Sequence, residues 1–169
     1  MNSEELLKDK TILVVDDEQD IVDTVVEVLD MCTVHTAQDY DGAIQYLLSY
    51  TYDIVILDIM GVNGFELLKM SVERGFPTVM LTAHALTPEA LKKSIKLGAV
   101  SFLPKEKMPE LEDFLGDVVL GGGKAVWKKL FERLGASFNK IFGPDWKERD
   151  AFFEEFEGAL KESEDNQPL

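Results

Sequence analysis

Short apolar runs alternate with longer periodic segments along this chain. Residues 11–15, Thr-Ile-Leu-Val-Val, form a β-branched run that stops at Asp16-Asp17, which predicts a buried strand leading into an acidic loop. Ile21, Val22, Val25, Val26, Val28 and Leu29 then recur at helical spacing. Residues 33–36 predict a second strand, and Asp39 an N-cap for a helix carrying Ala43, Ile44, Leu47 and Leu48. A third strand is expected over 53–57, ended by Asp58. Phe65, Leu67, Leu68 and Val72 predict the next helix, punctuated by Gly75 and Pro77. Residues 78–81 read as a fourth strand, ended by Thr82. Thr87-Pro88-Glu89 opens a helix with a cap and a first-turn proline, and Gly98 stops it. A fifth strand over 100–103 runs into Pro104-Lys105, and a helix follows over about 109–120.

Five strand–helix alternations with wholly apolar strands imply an α/β fold, a parallel sheet covered by helices on both faces. Ligands of such sheets bind at the carboxyl ends of the strands, near a topological switch point. The residues just past those ends are Asp16, Asp17, Asp58, Thr82 and Lys105. Taken singly they are ordinary loop residues, since Asp commonly caps helices and a lone Lys is commonly solvated. Together they place three mutually repelling carboxylates, a hydroxyl and an ammonium on one rim. Hard oxygen ligands of this kind suit Mg²⁺. The set is fitted to holding a phosphoryl group on a carboxylate nucleophile, where positioning and charge neutralisation do most of the catalysis.

Beyond residue 123 the pattern changes. Trp127, Leu130, Phe131, Leu134, Phe138, Ile141 and Phe142 recur at three and four, which predicts an amphipathic helix with a basic outer face. Gly143-Pro144 breaks it, and Asp145 is expected to cap a second helix carrying Trp146, Phe152, Phe153, Phe156 and Leu160. Residues 121–142 hold five basic and one acidic residue, and residues 143–169 three and nine, a contrast that favours an antiparallel hairpin. The domain reading is 1–122 for the α/β part and 123–169 for a helical extension with a frayed end. The aromatic faces are expected either to pack on the α/β part and on each other, or to form a dimer or partner surface. Gly121-Gly122-Gly123-Lys124 lacks Walker spacing and reads as a hinge.

The net charge of -15 argues against phosphate backbones and anionic membranes as partners. Cys32 is the only cysteine, so no intrachain disulfide exists, and it is expected in the core. His35 and His84 have no zinc-type spacing. No signal segment precedes the first strand and no run approaches a membrane span, so a cytoplasmic location is expected.

Val14-Val15-Asp16-Asp17-Glu18, Leu57-Asp58-Ile59-Met60, Leu81-Thr82-Ala83, Gly98-Ala99 and Phe102-Leu103-Pro104-Lys105 resemble the signatures of the response-regulator receiver family, in order and at near-family spacing. The resemblance spans residues 11–120. It implies a flavodoxin-like sheet of order 2-1-3-4-5 and a two-component phosphorelay role. Asp58 would be the phosphoacceptor. Asp17, Asp58 and the Met60 carbonyl would bind Mg²⁺, with Asp16 acting largely through water. Thr82 and Lys105 would contact the phosphoryl group, and Phe102 would be the aromatic switch reading Thr82. The phosphodonor would be a sensor histidine kinase or phosphotransfer protein, and output would pass to a protein target or through a homodimer rather than to DNA.

Three departures stand out. The loop Ile59-Met60-Gly61-Val62-Asn63-Gly64 is shorter than the family's. Phe102 stands where Tyr is common, and Glu106 where a proline after a cis peptide is usual. His84 reads equally as a group tuning phosphate hydrolysis and as an exposed loop residue. Two other classes fit less well. A hydrolase of the haloacid-dehalogenase kind needs an acid two residues after its nucleophile, where Met60 stands. A phosphorylation-independent scaffold would have no use for the complete rim.

Overall fold

The computed structural model describes residues 2–83, 87–121 and 124–165. Five parallel strands, β1 (Thr11–Val15), β2 (Thr33–Ala37), β3 (Ile54–Asp58), β4 (Thr78–Thr82) and β5 (Ser101–Pro104), form one sheet in the order β2-β1-β3-β4-β5. Every residue of β3 and β4 is buried, as expected of strands covered on both faces. The expected α/β class and strand order are both found.

The helices between the strands are α2 (Gln19–Val28), α3 (Tyr40–Ser49), α4 (Gly64–Glu73) and α5 (Pro88–Lys96), with α6 (Leu111–Leu120) after β5. The caps fall where the sequence puts them. Asp39 accepts from the Gly42 N–H at 2.7 Å, and Thr87 Oγ1 from the Ala90 N–H at 3.0 Å, with Pro88 in the first turn of α5. A short N-terminal helix, α1 (Ser3–Leu7), is an addition to the sequence reading. Asn2 caps it, Leu7 is fully buried, and Ser3 Oγ donates to Asp113 of α6 at 2.8 Å. The helix expected over 109–120 resolves into a 3-10 segment, Lys105–Glu110, and then α6.

Register fixes which strand ends lie side by side. Val15 pairs with Leu57, Asp58 with Leu81, and Thr82 with Pro104. Asp16, Asp58, Thr82 and Lys105 therefore emerge next to one another.

The C-terminal helices α7 (Lys124–Phe142) and α8 (Ala151–Asp165) pack on the sheet domain and share its core. Of the alternatives open in the sequence, packing on the α/β part is what the structure shows. β5 is an edge strand, yet all four of its residues are buried. Trp127 of α7 donates its indole N–H to the Ala99 carbonyl at 3.1 Å, and Phe138 meets Phe102 of β5 edge-to-face. Aromatic rings also join the two helices, Trp127 and Phe131 lying against Phe156, and Phe138 lies against Trp146 of the segment between them.

Three details differ from expectation. Asp145 does not cap α8. Residues 144–149 form turns, Trp146 is buried there, and Asp150 accepts from the Phe152 N–H at 2.9 Å. The basic face of α7 also meets the sheet domain, since Lys129 and Arg133 pair with Asp117 of α6 at 3.3 and 3.6 Å. Cys32 is half-buried rather than fully core, and its thiol donates to the Leu7 carbonyl at 3.2 Å. Burial, followed by Asp30 and other nearby acids, pushes its pKa up to about 11, so the thiol is inert at neutral pH. His84 and the hinge glycines Gly122 and Gly123 lie outside the described residues. No described helix is long and apolar enough to cross a membrane.

Candidate functional site

The strand ends build an acidic hollow around one ammonium. Lys105 Nζ lies 2.8 Å from Asp16 Oδ2, 3.4 Å from Asp58 Oδ1 and 3.3 Å from Glu18 Oε2. The Lys105 side chain is 8% exposed, Asp16 is fully buried and Asp58 is 5% exposed, so these charges meet largely away from water. One buried ammonium facing several carboxylates leaves net negative charge unneutralised, an arrangement that costs free energy unless another cation shares it.

Burial is the main cause that raises the Asp58 pKa, to about 7, with Asp16 and then Asp17 adding repulsion and Lys105 opposing them. Asp16 is raised too, chiefly by burial, against the Lys105 contact and the Glu18 N–H that donates to Asp16 Oδ1 at 2.9 Å. Burial works to lower Lys105, but the contact with Asp16 and the charges of Asp58, Asp16 and Glu18 outweigh it and raise the ammonium pKa.

Carboxylate oxygens of Asp16, Asp17 and Asp58 all lie within 4.8 Å of one another. Asp16 Oδ2 is buried without a hydrogen bond, its one close cation being Lys105. A converging all-oxygen set whose buried carboxylates share the Lys105 ammonium fits a hard divalent cation. The three acids therefore could bind a metal ion.

The loop after Asp58 is shaped by two glycines. Gly61 has φ +84°, a left-handed conformation, and a Cβ there would run into the Asp17 carboxylate. A Cβ at Gly64 would strike the Asp58 carbonyl oxygen. Asn63 takes φ +56° between them. The short loop thus lies directly against Asp17 and Asp58, and Met60 projects from it, 57% exposed. No cis peptide occurs among the described residues, so the chain passes Lys105-Glu106 in the ordinary trans form.

Thr82 is 1% exposed at the end of β4, and Phe102 is fully buried on β5, in register with Met80. The structure thus gathers Asp16, Asp17, Asp58, Thr82 and Lys105 on one rim, and sets Phe102 three residues before Lys105, on the strand that leads into it. Sequence reasoning did not single out Glu18, Gly61, Gly64 or Phe138. Glu18 stands within the acidic motif, but its pairing with Lys105 depends on a contact between residues 87 apart in sequence.

The response regulator receiver domain model matches residues 12–115. A transcriptional regulatory protein, DltR, from Streptococcus agalactiae is 34% identical over 100 residues, 56% of this chain and 44% of that protein. The chain spans less than half the length of the curated relatives it matches. A response regulator structure from Thermotoga maritima superposes with a TM-score of 0.61 at 22% identity, covering 67% of this chain and 99% of that one. A response regulator from Burkholderia pseudomallei, solved with a phosphorylated aspartic acid, a calcium ion and citrate, gives a TM-score of 0.55 at 20% identity, covering 66% of this chain and 71% of that one.

Proposed function

The chain belongs to the response regulator receiver domain family, and on that premise we propose that it is a phosphorylation switch whose acceptor is Asp58. The observation that carries the reading is the set around that carboxylate, with buried Lys105 and Asp16 and exposed Asp17 on one side and buried Thr82 on the next strand end.

A sensor histidine kinase or a phosphotransfer protein is the donor class. A carboxylate oxygen of Asp58 attacks the phosphorus of a phosphoimidazole, the P–N bond breaks as the P–O bond forms, and the imidazole leaves with a proton from solvent. Asp16, Asp17, Asp58 and the Met60 carbonyl would hold Mg²⁺, with Asp16 acting largely through water. The ion would supply charge neutralisation at the phosphoryl oxygens. Lys105 supplies a second positive charge to the same oxygens, and Thr82 a hydroxyl donor. A cation held by these acids would also favour the ionised, nucleophilic form of Asp58, whose pKa burial raises to about 7. Phe102 is the switch aromatic that reads Thr82. The protein assists its own phosphotransfer and dephosphorylation and acts on no separate substrate.

Output runs through protein contacts rather than DNA. A net charge of -15 supports this, since affinity for phosphate backbones comes from Lys and Arg. The cytoplasm, where the proposed donors present their phosphohistidine, is the expected compartment.

Incubation with acetyl phosphate and Mg²⁺, read by intact mass, is expected to add one phosphoryl group to the wild type and none to Asp58→Ala. A wild type that stays unmodified, and that also fails to bind beryllofluoride with Mg²⁺, would sink the reading.

A further inference from the structure

The α7–α8 hairpin lies wholly beyond residues 12–115, the span that the receiver family accounts for. Between its helices is a cavity of about 180 Å³ that shares no residue with the acidic rim. Helical spacing builds it. Lys128, Phe131 and Glu132 stand three and four apart on α7, and Glu157, Leu160 and Lys161 do the same on α8, so one face of each helix looks into the gap. Lys147 closes it from the turn between them.

The apolar wall and one cation are held in place. The Phe131 ring packs against Trp127, Phe138, Trp146 and Phe156, with centroids 5.9 to 6.4 Å away, and Leu160 beside it is buried. Lys147 Nζ sits 5.6 Å from the Phe131 centroid and 3.2 Å from Glu157 Oε1, so Glu157 already meets that charge. Lys161 is exposed at the mouth, and no ion pair among the described residues holds its ammonium. Three ammonium groups and two carboxylates leave one net positive charge at the cavity, in a chain whose net charge is -15.

An apolar wall with a cationic mouth matches a ligand with an apolar body and one negative end. Size narrows the class. Water takes up about 30 Å³ in the liquid, and a dry cavity of about 150 Å³ accepts benzene. A space of about 180 Å³ therefore suits a single ring with a short anionic group, and is too small for a nucleotide or a peptide. We infer that the cavity between α7 and α8 binds a monocyclic aromatic carboxylate, with its ring against Phe131 and Leu160 and its carboxylate toward Lys161. Burying the ring supplies the apolar part of the affinity. The charge-assisted hydrogen bond from the lysine supplies the selectivity for an anion. The site does not depend on Asp58.

The full-length chain is titrated with benzoate at low salt. Binding is read by saturation-transfer NMR on the ligand and by tryptophan emission, since Trp127 and Trp146 both pack on Phe131. Benzamide, the uncharged counterpart, and acetate, an anion without a ring, are titrated alongside. Benzoate is expected to bind at least about tenfold more tightly than either. Lys161→Glu changes only an exposed side chain. It is expected to weaken benzoate about tenfold and to leave benzamide unchanged. Lys147→Met keeps an aliphatic stem over Phe131 but leaves Glu157 facing the ligand, and is expected to weaken benzoate in the same direction. Equal affinity for benzoate and acetate would reduce the cavity to a charged patch. Equal affinity for benzoate and benzamide would remove the role of the lysines. Either result overturns the proposal, as does full benzoate affinity in Lys161→Glu or no binding of benzoate at millimolar concentration.

Discussion

The ammonium of Lys105 balances more carboxylate than one charge can neutralise, and the residue-scale behaviour of the site follows from that deficit. Asp58 has an ordinary carboxylate value of 3.8 that the fold raises to about 7. Between those values the folded protein holds a proton that the unfolded chain has released. Stability of the metal-free protein is therefore greater near pH 5 than near pH 8, and is lost as pH rises through about 7. Asp58→Asn is expected to flatten that dependence and to stabilise the metal-free protein at pH 8, measured by urea unfolding in the presence of a chelator. A variant no more stable than wild type at pH 8 would contradict the charge deficit. Gly61→Ala tests the short loop. A methyl group would meet the Asp17 carboxylate on a backbone that disfavours side chains. Calorimetric titration with Mg²⁺ should show affinity at least about tenfold weaker, the usual effect of disturbing the support of a metal ligand, with Asp58 itself unaltered. The acids, Thr82 and Lys105 are legible in the sequence because each directly follows an apolar run. Glu18 and Gly61 are not, because their importance is a distance to another loop.

At the scale of elements, strands and caps follow from local chemistry, whereas packing partners do not. β1, β3 and β4 are continuous apolar runs, and Asp39 and Thr87 cap the helices that their side chains predict. α1 escapes the pattern because five residues with one buried side chain show no period, and it exists through its contact with α6. Asp150 displaces Asp145 as the cap because Trp146 must be buried in the turn before α8, and no local rule foresees that. Likewise the aromatic stripe of α7 announces a buried face without saying what buries it. The structure makes that face costly to lose. Trp146→Ala, which empties a 1% exposed site among Phe138, Phe142 and Phe153, is expected to destabilise by about 3–5 kcal/mol in chemical denaturation. Trp127→Phe, which keeps the ring but leaves the Ala99 carbonyl without its donor, should cost about 1–3 kcal/mol. Equal, small effects for the two would mean that the hairpin is not packed as described.

For the whole molecule, the core of the sheet and the buried face of the hairpin are one body of contacts. Unfolding followed by helical circular dichroism and by tryptophan emission should therefore give coincident curves in the unmodified protein. Early loss of the tryptophan signal would instead assign the hairpin its own low stability. The continuity of this core also gives the molecule a history. All parts of the sheet precede the hairpin in the chain, and ribosomes add about 5–20 residues per second. Each new copy thus spends some seconds with β5 uncovered while α7 and α8 are being made. In that interval the nascent sheet must be kept from its neighbours by other means, and its first partner on that face is decided by the timing of translation.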